Sequence, residues 1–219
     1  LMKAIILAGT RGIGKSVADN LSGFCEEIIS PGKSEVDTSD LSSVKTFATK
    51  HPGADILILN TGGPPAMPFK DITEEVWLRY FNQLFLSFMI LLKEIKIKNG
   101  GYVFLISSFN IKEPADNLIL SNSLRLASWS VLKSLSKRDL KEEITYINIA
   151  PGPTDTDRLR DLASKDGKSL LEVAKSLPTK RISSPDEIGR FVRSLVEQRI
   201  KAVNGVSINF DMGLSSSVL

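Results

Sequence analysis

One short stretch of this sequence has the residue types of a phosphate-binding turn. Gly9–Gly14 (GTRGIG) directly follows an apolar run at Lys3–Ala8. Glycines allow a tight turn and close approach of the backbone to a pyrophosphate, and a helix that begins there adds amide donors and a partial positive charge. Ile13, Val17 and Leu21 then recur at helical spacing. The pattern predicts a strand, a turn and a helix, although a glycine pattern alone also fits an ordinary strand-to-helix turn.

Four more stretches rich in glycine, serine or proline follow apolar runs. They read SPGKS, NTGGPP, SSFN and APGPTDT, and they begin at residues 30, 60, 107 and 150. In a parallel sheet the carboxyl ends of the strands lie at one edge, and ligands bind beyond that edge. We therefore expect all five loops to converge on one site.

The elements that must position these loops alternate along the chain. Apolar runs predict strands at Lys3–Ala8, Glu27–Ser30, Asp55–Leu59, Tyr102–Ile106, Ile144–Ile149 and Val206–Phe210. Helical spacing and capping residues predict helices at Leu41–Lys50, Ile72–Lys98, Ser121–Leu140 and Pro185–Gln198, with one short helix between residues 158 and 181. This alternation is typical of an α/β protein with a doubly wound, Rossmann-like parallel sheet covered on both faces.

Composition limits the class of protein. The 219 residues are 42% hydrophobic and 24% charged, which predicts an ordinary folded chain with a single domain over residues 1–219. The net charge is +3 without a basic run, so we expect no nucleic-acid partner. No stretch reaches the roughly 18 apolar residues of a membrane span. The single cysteine, Cys25, and the lack of a signal-like start favour the cytoplasm.

The five loops together resemble those of the short-chain dehydrogenases/reductases, and the resemblance covers essentially the whole chain. The family pattern TGxxxGxG is approached by residues 8–14, NNAG by 60–63, the serine after the fifth strand by 107–108, PGxxxT by 151–156 and the closing VDGG-like turn by 211–213. The sequence resembles the 3-oxoacyl-carrier-protein reductase-like members of this family. This resemblance implies a nicotinamide cofactor, a small carbonyl or alcohol substrate and a homodimer or homotetramer.

The resemblance also shows where the catalytic set departs from the family. The family's tyrosine follows its catalytic serine by 13 residues, and its lysine follows the tyrosine by four. Counted from Ser108, these positions are Ser121 and Arg125, so SxxxR replaces YxxxK, and the family's helical asparagine corresponds to Leu84. An aliphatic hydroxyl is a much weaker acid than a phenol, whereas Arg125 still offers charge and hydrogen bonds for a ribose.

Three alternatives follow from this departure. The chain transfers a hydride while the proton comes from water or from the substrate, it uses another proton donor, or it binds the cofactor as a sensor or partner protein without turnover. Tyr80, Tyr102 and Tyr146 are expected to pack in a helix and two strands. They offer no replacement donor.

Two further departures concern the cofactor. The first motif is one residue short, or Ala8 takes the place of the first glycine. Only SPGKSEV separates the second strand from Asp37, so the family's third strand is expected to be shortened or absent. No acid ends the second strand to bind the ribose of NAD, whereas the cations Arg11 and Lys33 suit the 2′-phosphate, so NADP(H) is expected in preference to NAD(H).

The resemblance gives a full set of expected site residues. Ser108, Ser121 and Arg125 form the catalytic set, and no metal site is expected. The cofactor-binding residues are Gly9, Thr10, Arg11, Gly12, Ile13 and Gly14 at the pyrophosphate, Ser30, Lys33 and Ser34 at the ribose phosphate, Asp37, Asn60 and Gly62 at the adenosine, Arg125 at the second ribose, and Pro151, Gly152 and Thr154 at the nicotinamide. Residues 158–181 correspond to the family's variable substrate lid, whose basic residues either meet an acidic substrate or form a solvated face.

Overall fold

The computed structural model describes residues 2–218 and has one parallel sheet between two layers of helices. The strands are β1 (Lys3–Ile6), β2 (Glu27–Ile29), β3 (Gly53–Leu59), β4 (Lys96–Ile106), β5 (Thr145–Pro151) and β6 (Val206–Phe210). The helices are α1 (Gly12–Leu21), α2 (Leu41–Lys50), α3 (Glu74–Phe81), α4 (Ser87–Glu94), α5 (Ile119–Arg138), α6 (Asp157–Lys165), α7 (Leu170–Ser176) and α8 (Pro185–Glu197). The six strands pair in the order β2-β1-β3-β4-β5-β6. The doubly wound, Rossmann-like prediction is confirmed.

Both faces of the sheet are covered, and the central strands bury apolar side chains on both of them. In β1 and the residue after it, Ile5 and Leu7 contribute to the core beneath α2, α4 and α5, whereas Ala4 and Ile6 contribute to the core beneath α1 and α8. All four side chains are fully buried. Successive residues of a strand point to opposite faces, so a continuous apolar run is what a doubly covered strand requires.

The sheet ends at β2, which pairs only with β1. The described residues between β2 and α2 form no strand. Asp40 caps the N-terminus of α2, where its carboxylate accepts a hydrogen bond from the Ser42 amide at 2.9 Å. The predicted loss of the family's third strand is therefore confirmed. β2 and β3 lie on opposite sides of β1, so the order in which strands are added to the sheet reverses there. Such a switch point places a crevice beyond the carboxyl ends of β1 and β3.

The long helix predicted at Ile72–Lys98 was wrong at its C-terminal end. The helical region ends at Glu94, and Lys96 already belongs to β4. The alternation in Ile95–Lys98 (IKIK) is a strand pattern, and it buries Ile95 and Ile97 in the core. The pairing of β4 with β3 shifts register after Ile97, where Gly100 adopts a positive φ of 76°. The strand thus has a bulge that the apolar pattern did not reveal.

A π-helical segment, residues Asn82–Leu86, joins α3 to α4. Two serine hydroxyls bond its carbonyl groups: Ser87 Oγ donates to the Gln83 oxygen at 2.9 Å, and Ser128 Oγ of α5 donates to the Leu84 oxygen at 2.7 Å. A π segment inserts one residue into a helix and is frequent at functional sites. It rotates the side chains on either side of it relative to an uninterrupted helix.

Other differences from the predicted elements are small. The helix predicted at Ser121–Leu140 runs over Ile119–Arg138, and the lid contains two short helices, α6 and α7, instead of one. Each lid helix begins at a capping hydroxyl, from Thr156 and Ser169 respectively. Element boundaries of this kind depend on local hydrogen bonds that periodicity does not encode.

Several large apolar side chains lie on the surface of the α3 and α5 helices. Leu78, Phe81 and Leu126 are 63%, 37% and 47% exposed. The homodimer or homotetramer stays a prediction. Among the helices of residues 2–218, none has the length and hydrophobicity to cross a bilayer.

Gly14 offers a test of how α1 is seated on the sheet. A Cβ atom at Gly14 would lie 2.2 Å from the Ala8 carbonyl oxygen, so the substitution Gly14→Ala requires the backbone to move. We expect the free energy of unfolding to fall by at least about 2 kcal/mol, although alanine favours helices. Gly53→Ala is the control, since its nearest contact would be 3.5 Å away, and it should change stability by no more than about 0.5 kcal/mol. Equal urea-unfolding curves for both variants would contradict this packing.

Candidate active site

The five predicted loops line one cavity of about 580 Å³ at the carboxyl ends of the strands. It extends from the turn after β1 to the lid helix α6. Fourteen of the predicted site residues line its wall: Thr10, Arg11, Gly12, Ile13, Lys33, Asp37, Asn60, Gly62, Ser108, Ser121, Arg125, Pro151, Gly152 and Thr154. The expected convergence of the loops is therefore present in the structure.

Four predicted residues do not line the cavity. Gly9 and Gly14 are buried in the turn, where each leaves room for another part of the chain. A Cβ at Gly9 would lie 2.5 Å from the Ser30 Cβ, so Ser30 packs against the turn. Ser34 is exposed on the loop after β2. Contact of these four residues with a cofactor stays a prediction.

The glycine turn presents an uncapped helix N-terminus to the cavity. Arg11 is the N-cap of α1, its side chain makes no capping hydrogen bond, and the first turn contains no acid. Free amide groups at such a terminus attract an anion. Ala8 has a φ of 49°, a left-handed conformation that favours glycine. Of the two alternatives for the first motif, this conformation supports Ala8 in the place of the first glycine.

Basic and acidic groups meet at the β2 end of the cavity. Lys33 Nζ lies 3.5 Å from an Asp37 carboxylate oxygen, and the Lys33 side chain is 74% exposed. Burial acts to raise the pKa of Asp37, but hydrogen bonds from Ser39 and the charge of Lys33 outweigh it and lower that pKa below its usual value. Thr38 and Thr61 share a hydrogen bond of 2.7 Å and join this loop to the loop after β3.

Arg125 holds the centre of the site together. It projects from α5 and is only 7% exposed. Its Nη1 donates to the Ile106 carbonyl oxygen at the end of β4 at 2.8 Å, and its Nη2 approaches the Thr61 carbonyl oxygen at 3.4 Å. Its Nε donates to Ser121 Oγ, one helical turn earlier, at 3.2 Å. The guanidinium thus connects a helix, a strand end and a loop.

This buried cation forms no ion pair with any carboxylate in residues 2–218. Burial, followed by the charge of nearby Arg158, lowers the pKa of Arg125 to about 10. The group remains positively charged at neutral pH. Neutral carbonyl and hydroxyl oxygens satisfy its donors without cancelling its charge, so the cavity wall is electropositive here.

Ser108 and Ser121 each keep a hydroxyl hydrogen available. Ser108 Oγ accepts a hydrogen bond from the Asn110 amide at 3.2 Å, and Ser121 Oγ accepts from Arg125. An oxygen that accepts in this way leaves its own hydrogen for another acceptor. Both serines therefore present donors to the cavity.

Sequence reasoning missed several residues of the cavity wall. Gln83, rather than its neighbour Leu84, faces the cavity from the π segment, and its Nε2 donates to the Gly62 oxygen at 2.7 Å. Leu84 is fully buried. Tyr80 packs in a hydrophobic cluster and also lines the cavity, so the interpretation of it as a packing residue was incomplete. Tyr102 and Tyr146 lie in the core as predicted.

Among the residues that sequence reasoning missed, Arg158 brings a further positive charge to the cavity. It lies in the first turn of α6, is partly buried, and its Nη2 donates to the Pro64 carbonyl oxygen. Its guanidinium lies over Gly63, with Nε 3.4 Å from the position of a Cβ built there. Burial lowers the pKa of Arg158, and the nearby Asp161 and Tyr80 partly offset that effect. Only its place in the lid pointed to it.

Within residues 2–218, no group of three or more histidine, cysteine, aspartate or glutamate side chains is arranged to hold a metal ion. The polar groups of the cavity are instead backbone amides, hydroxyls and guanidinium groups. These groups suit anions and carbonyl oxygens.

A protein-family model supplies the first comparison. The model described as "Enoyl-(Acyl carrier protein) reductase" matches residues 15 to 215. The chain belongs to the short-chain dehydrogenase/reductase family. It is therefore an oxidoreductase of the short-chain dehydrogenase/reductase type.

Other proteins are similar to this chain over nearly its whole length. The uncharacterized oxidoreductase YvaG of Bacillus subtilis is 24% identical over 98% of this chain and 96% of its own length. The crystal structure of a short chain dehydrogenase family protein from Francisella tularensis superposes with a TM-score of 0.87 at 22% identity, covering 99% of this chain and all of that one. A short chain dehydrogenase from Burkholderia cenocepacia, solved in complex with NADP, gives a TM-score of 0.84 at 19% identity over 97% of both chains.

The bond between Ser121 and Arg125 can be tested by stability. Ser121→Ala leaves Nε of a buried guanidinium without its acceptor, and hydrogen bonds to charged groups contribute about 1.5–3 kcal/mol. After the gain in helix propensity, we expect the free energy of unfolding to fall by about 1–2 kcal/mol. Ser123→Ala is the control on the same helix, since that exposed hydroxyl bonds only helix backbone oxygens, those of Ile119 and Leu120. A fall of the same size in the control would show that Ser121 has no special role.

Proposed function

We propose that this short-chain dehydrogenase/reductase reduces a small carbonyl compound with NADPH, or oxidises the corresponding alcohol with NADP⁺. The observation that carries the proposal is that Ser108, Ser121 and Arg125 line the same cavity as the uncapped N-terminus of α1. The two hydroxyls and the guanidinium suit a carbonyl oxygen, and the helix N-terminus suits a pyrophosphate.

The residues present fit a nicotinamide dinucleotide. The amides at the start of α1 have no competing side-chain cap, and Gly12, which lines the cavity, has a φ of 54°, a conformation that favours glycine. Lys33 and Arg11 are 74% and 79% exposed and lie at the β2 and lid sides of the same cavity. Two accessible cations favour a ribose that carries a 2′-phosphate. The NADP complex of the Burkholderia cenocepacia relative agrees with this choice.

When bound, such a cofactor supplies a hydride to the carbonyl carbon. Ser108 and Ser121 donate hydrogen bonds to the carbonyl oxygen. As the carbon–oxygen π bond breaks, negative charge develops on that oxygen, and the two hydroxyls and the charge of Arg125 stabilise it. Because the stabilising groups are already fixed by Asn110, Ile106 and Thr61, little reorganisation is needed during the reaction.

The proton that completes the alcohol comes from water in this proposal. Neither serine is acidic enough to replace a tyrosine as general acid. A positioned general acid typically contributes about 10²–10⁴ in rate, so we expect slow turnover unless the substrate supplies an acidic group of its own. Cofactor binding and orientation do not depend on that acid.

Ser108 tests the proposed reaction. We expect Ser108→Ala to lower kcat/KM for NADPH-dependent carbonyl reduction by about 100-fold or more, because one donor to the developing oxyanion is lost. NADPH affinity, measured by fluorescence of the reduced nicotinamide, should stay within about twofold, since Ser108 acts at the carbonyl. Ser123→Ala should match the unchanged chain in both measurements.

Two other outcomes would overturn the proposal. Turnover that survives Ser108→Ala unchanged would place the reaction elsewhere. Tight NADPH binding by the unchanged chain, without oxidation of NADPH above background by any member of a carbonyl panel, would favour the sensor or partner protein that has lost catalysis.

Lys33 tests the choice of cofactor. We expect the unchanged chain to bind NADPH more tightly than NADH, and Lys33→Glu to weaken NADPH binding by about tenfold while changing NADH binding by less than about twofold. Lys45→Glu makes the same charge change on the exposed surface of α2, outside the cavity. If both substitutions weaken NADPH binding equally, the effect is one of overall charge.

A further inference from the structure

We propose that the substrate of this enzyme carries a carboxylate and that Arg158 of the lid binds it. The proposal rests on the carbonyl reduction argued above and adds the chemical class of the compound. It comes from the placement of Arg158 and Arg125 in the lining of the same cavity.

Both guanidinium groups line the same cavity, and the charge of Arg158 contributes to the lowered pKa of Arg125. Two like charges in a partly dehydrated cavity repel each other and lose hydration. The structure retains both without an ion pair from either to any carboxylate in residues 2–218. A bound anion would remove both costs.

The donors of Arg158 are mostly unused by the protein. A guanidinium has five N–H groups in a planar fork, and the protein atoms of residues 2–218 accept a hydrogen bond from Arg158 only at Pro64. That bond and the contact with Gly63 fix the plane of the group against the loop after β3. A fixed planar fork matches the two oxygens of a carboxylate.

Asp161 is the acid whose charge acts on Arg158, so it is the protein group that could take the place of a substrate carboxylate. It raises the pKa of Arg158 but makes no ion pair with it, and its side chain is exposed. The other basic residue of this turn behaves differently, because Arg160 bonds Asp155 and Asp157 on the exposed side of α6. Arg158 therefore lines the cavity and has N–H groups that bond no protein atom in residues 2–218. Arg160, in contrast, is paired with two carboxylates at the surface.

The charge of Arg158 distinguishes between two kinds of substrate. A neutral carbonyl compound, including an ester or thioester, leaves Arg158 without a charged partner. An oxo acid places its carboxylate on the lid and its carbonyl near Ser108 and Ser121. Binding energy at the carboxylate then orients the carbonyl for reaction.

A matched pair of compounds tests this choice. We expect NADPH-dependent reduction of 2-oxopentanoate or 4-oxopentanoate to exceed that of the methyl ester by about 30-fold or more in kcat/KM. Arg158→Gln should lower kcat/KM for the acid by a similar factor and leave that for the ester within about threefold. Arg158→Lys should restore part of the loss, and Arg160→Gln should alter neither substrate.

A binding experiment without cofactor separates this inference from the proposed reaction. Calorimetry should show that pentanoate binds the unchanged chain and the Arg160→Gln variant at least about tenfold more tightly than Arg158→Gln, with pentanamide as the neutral control. Arg158-dependent pentanoate binding without turnover of any carbonyl would overturn the reaction and support the anion site. Equal use of acid and ester, with no effect of Arg158→Gln on either, would overturn the anion site and leave the reaction intact.

Discussion

The site depends on the burial of one positive charge. Arg125 holds the end of β4, the loop after β3 and the start of α5 together through neutral oxygens alone. Folding must remove most of its hydration without the compensation of an ion pair, and the lowered pKa of about 10 reflects that cost. The surrounding elements have to supply the energy that keeps it in place, which they do through a sheet that is apolar on both faces.

That constraint shapes the chemistry of the cavity. A lysine with a free amino group and a phenol would form a proton-transfer pair, whereas a guanidinium and an aliphatic hydroxyl form a rigid array of donors. Fixed donors stabilise charge on a substrate oxygen but do not deliver a proton from an acid of matched pKa. In the function that we propose, SxxxR in place of YxxxK shifts the balance from proton transfer towards electrostatic stabilisation, while the parallel sheet still brings the loops together.

The sequence predicted the parts of the fold that depend on local patterns. Continuous apolar runs predicted the sheet, and glycine-rich turns after strands predicted that the loops would meet. It could not predict contacts that depend on long-range packing. The guanidinium of Arg158 lies over Gly63, about a hundred positions earlier in the chain, and nothing local marks that contact. Ser30 packs against Gly9 of the turn after β1, and nothing local marks that contact either.

The number of residues in the π segment between α3 and α4 determines which side chains of α3 face the cavity. The π segment Asn82–Leu86 contains one residue more than a regular helical path requires, so α3 is rotated by about 100° relative to an uninterrupted extension of α4. Loss of a single residue from this segment would restore a regular helix and turn Tyr80 and Gln83 away from their present positions. A change in length at this point would therefore alter the lining of the cavity even if every lining residue kept its identity.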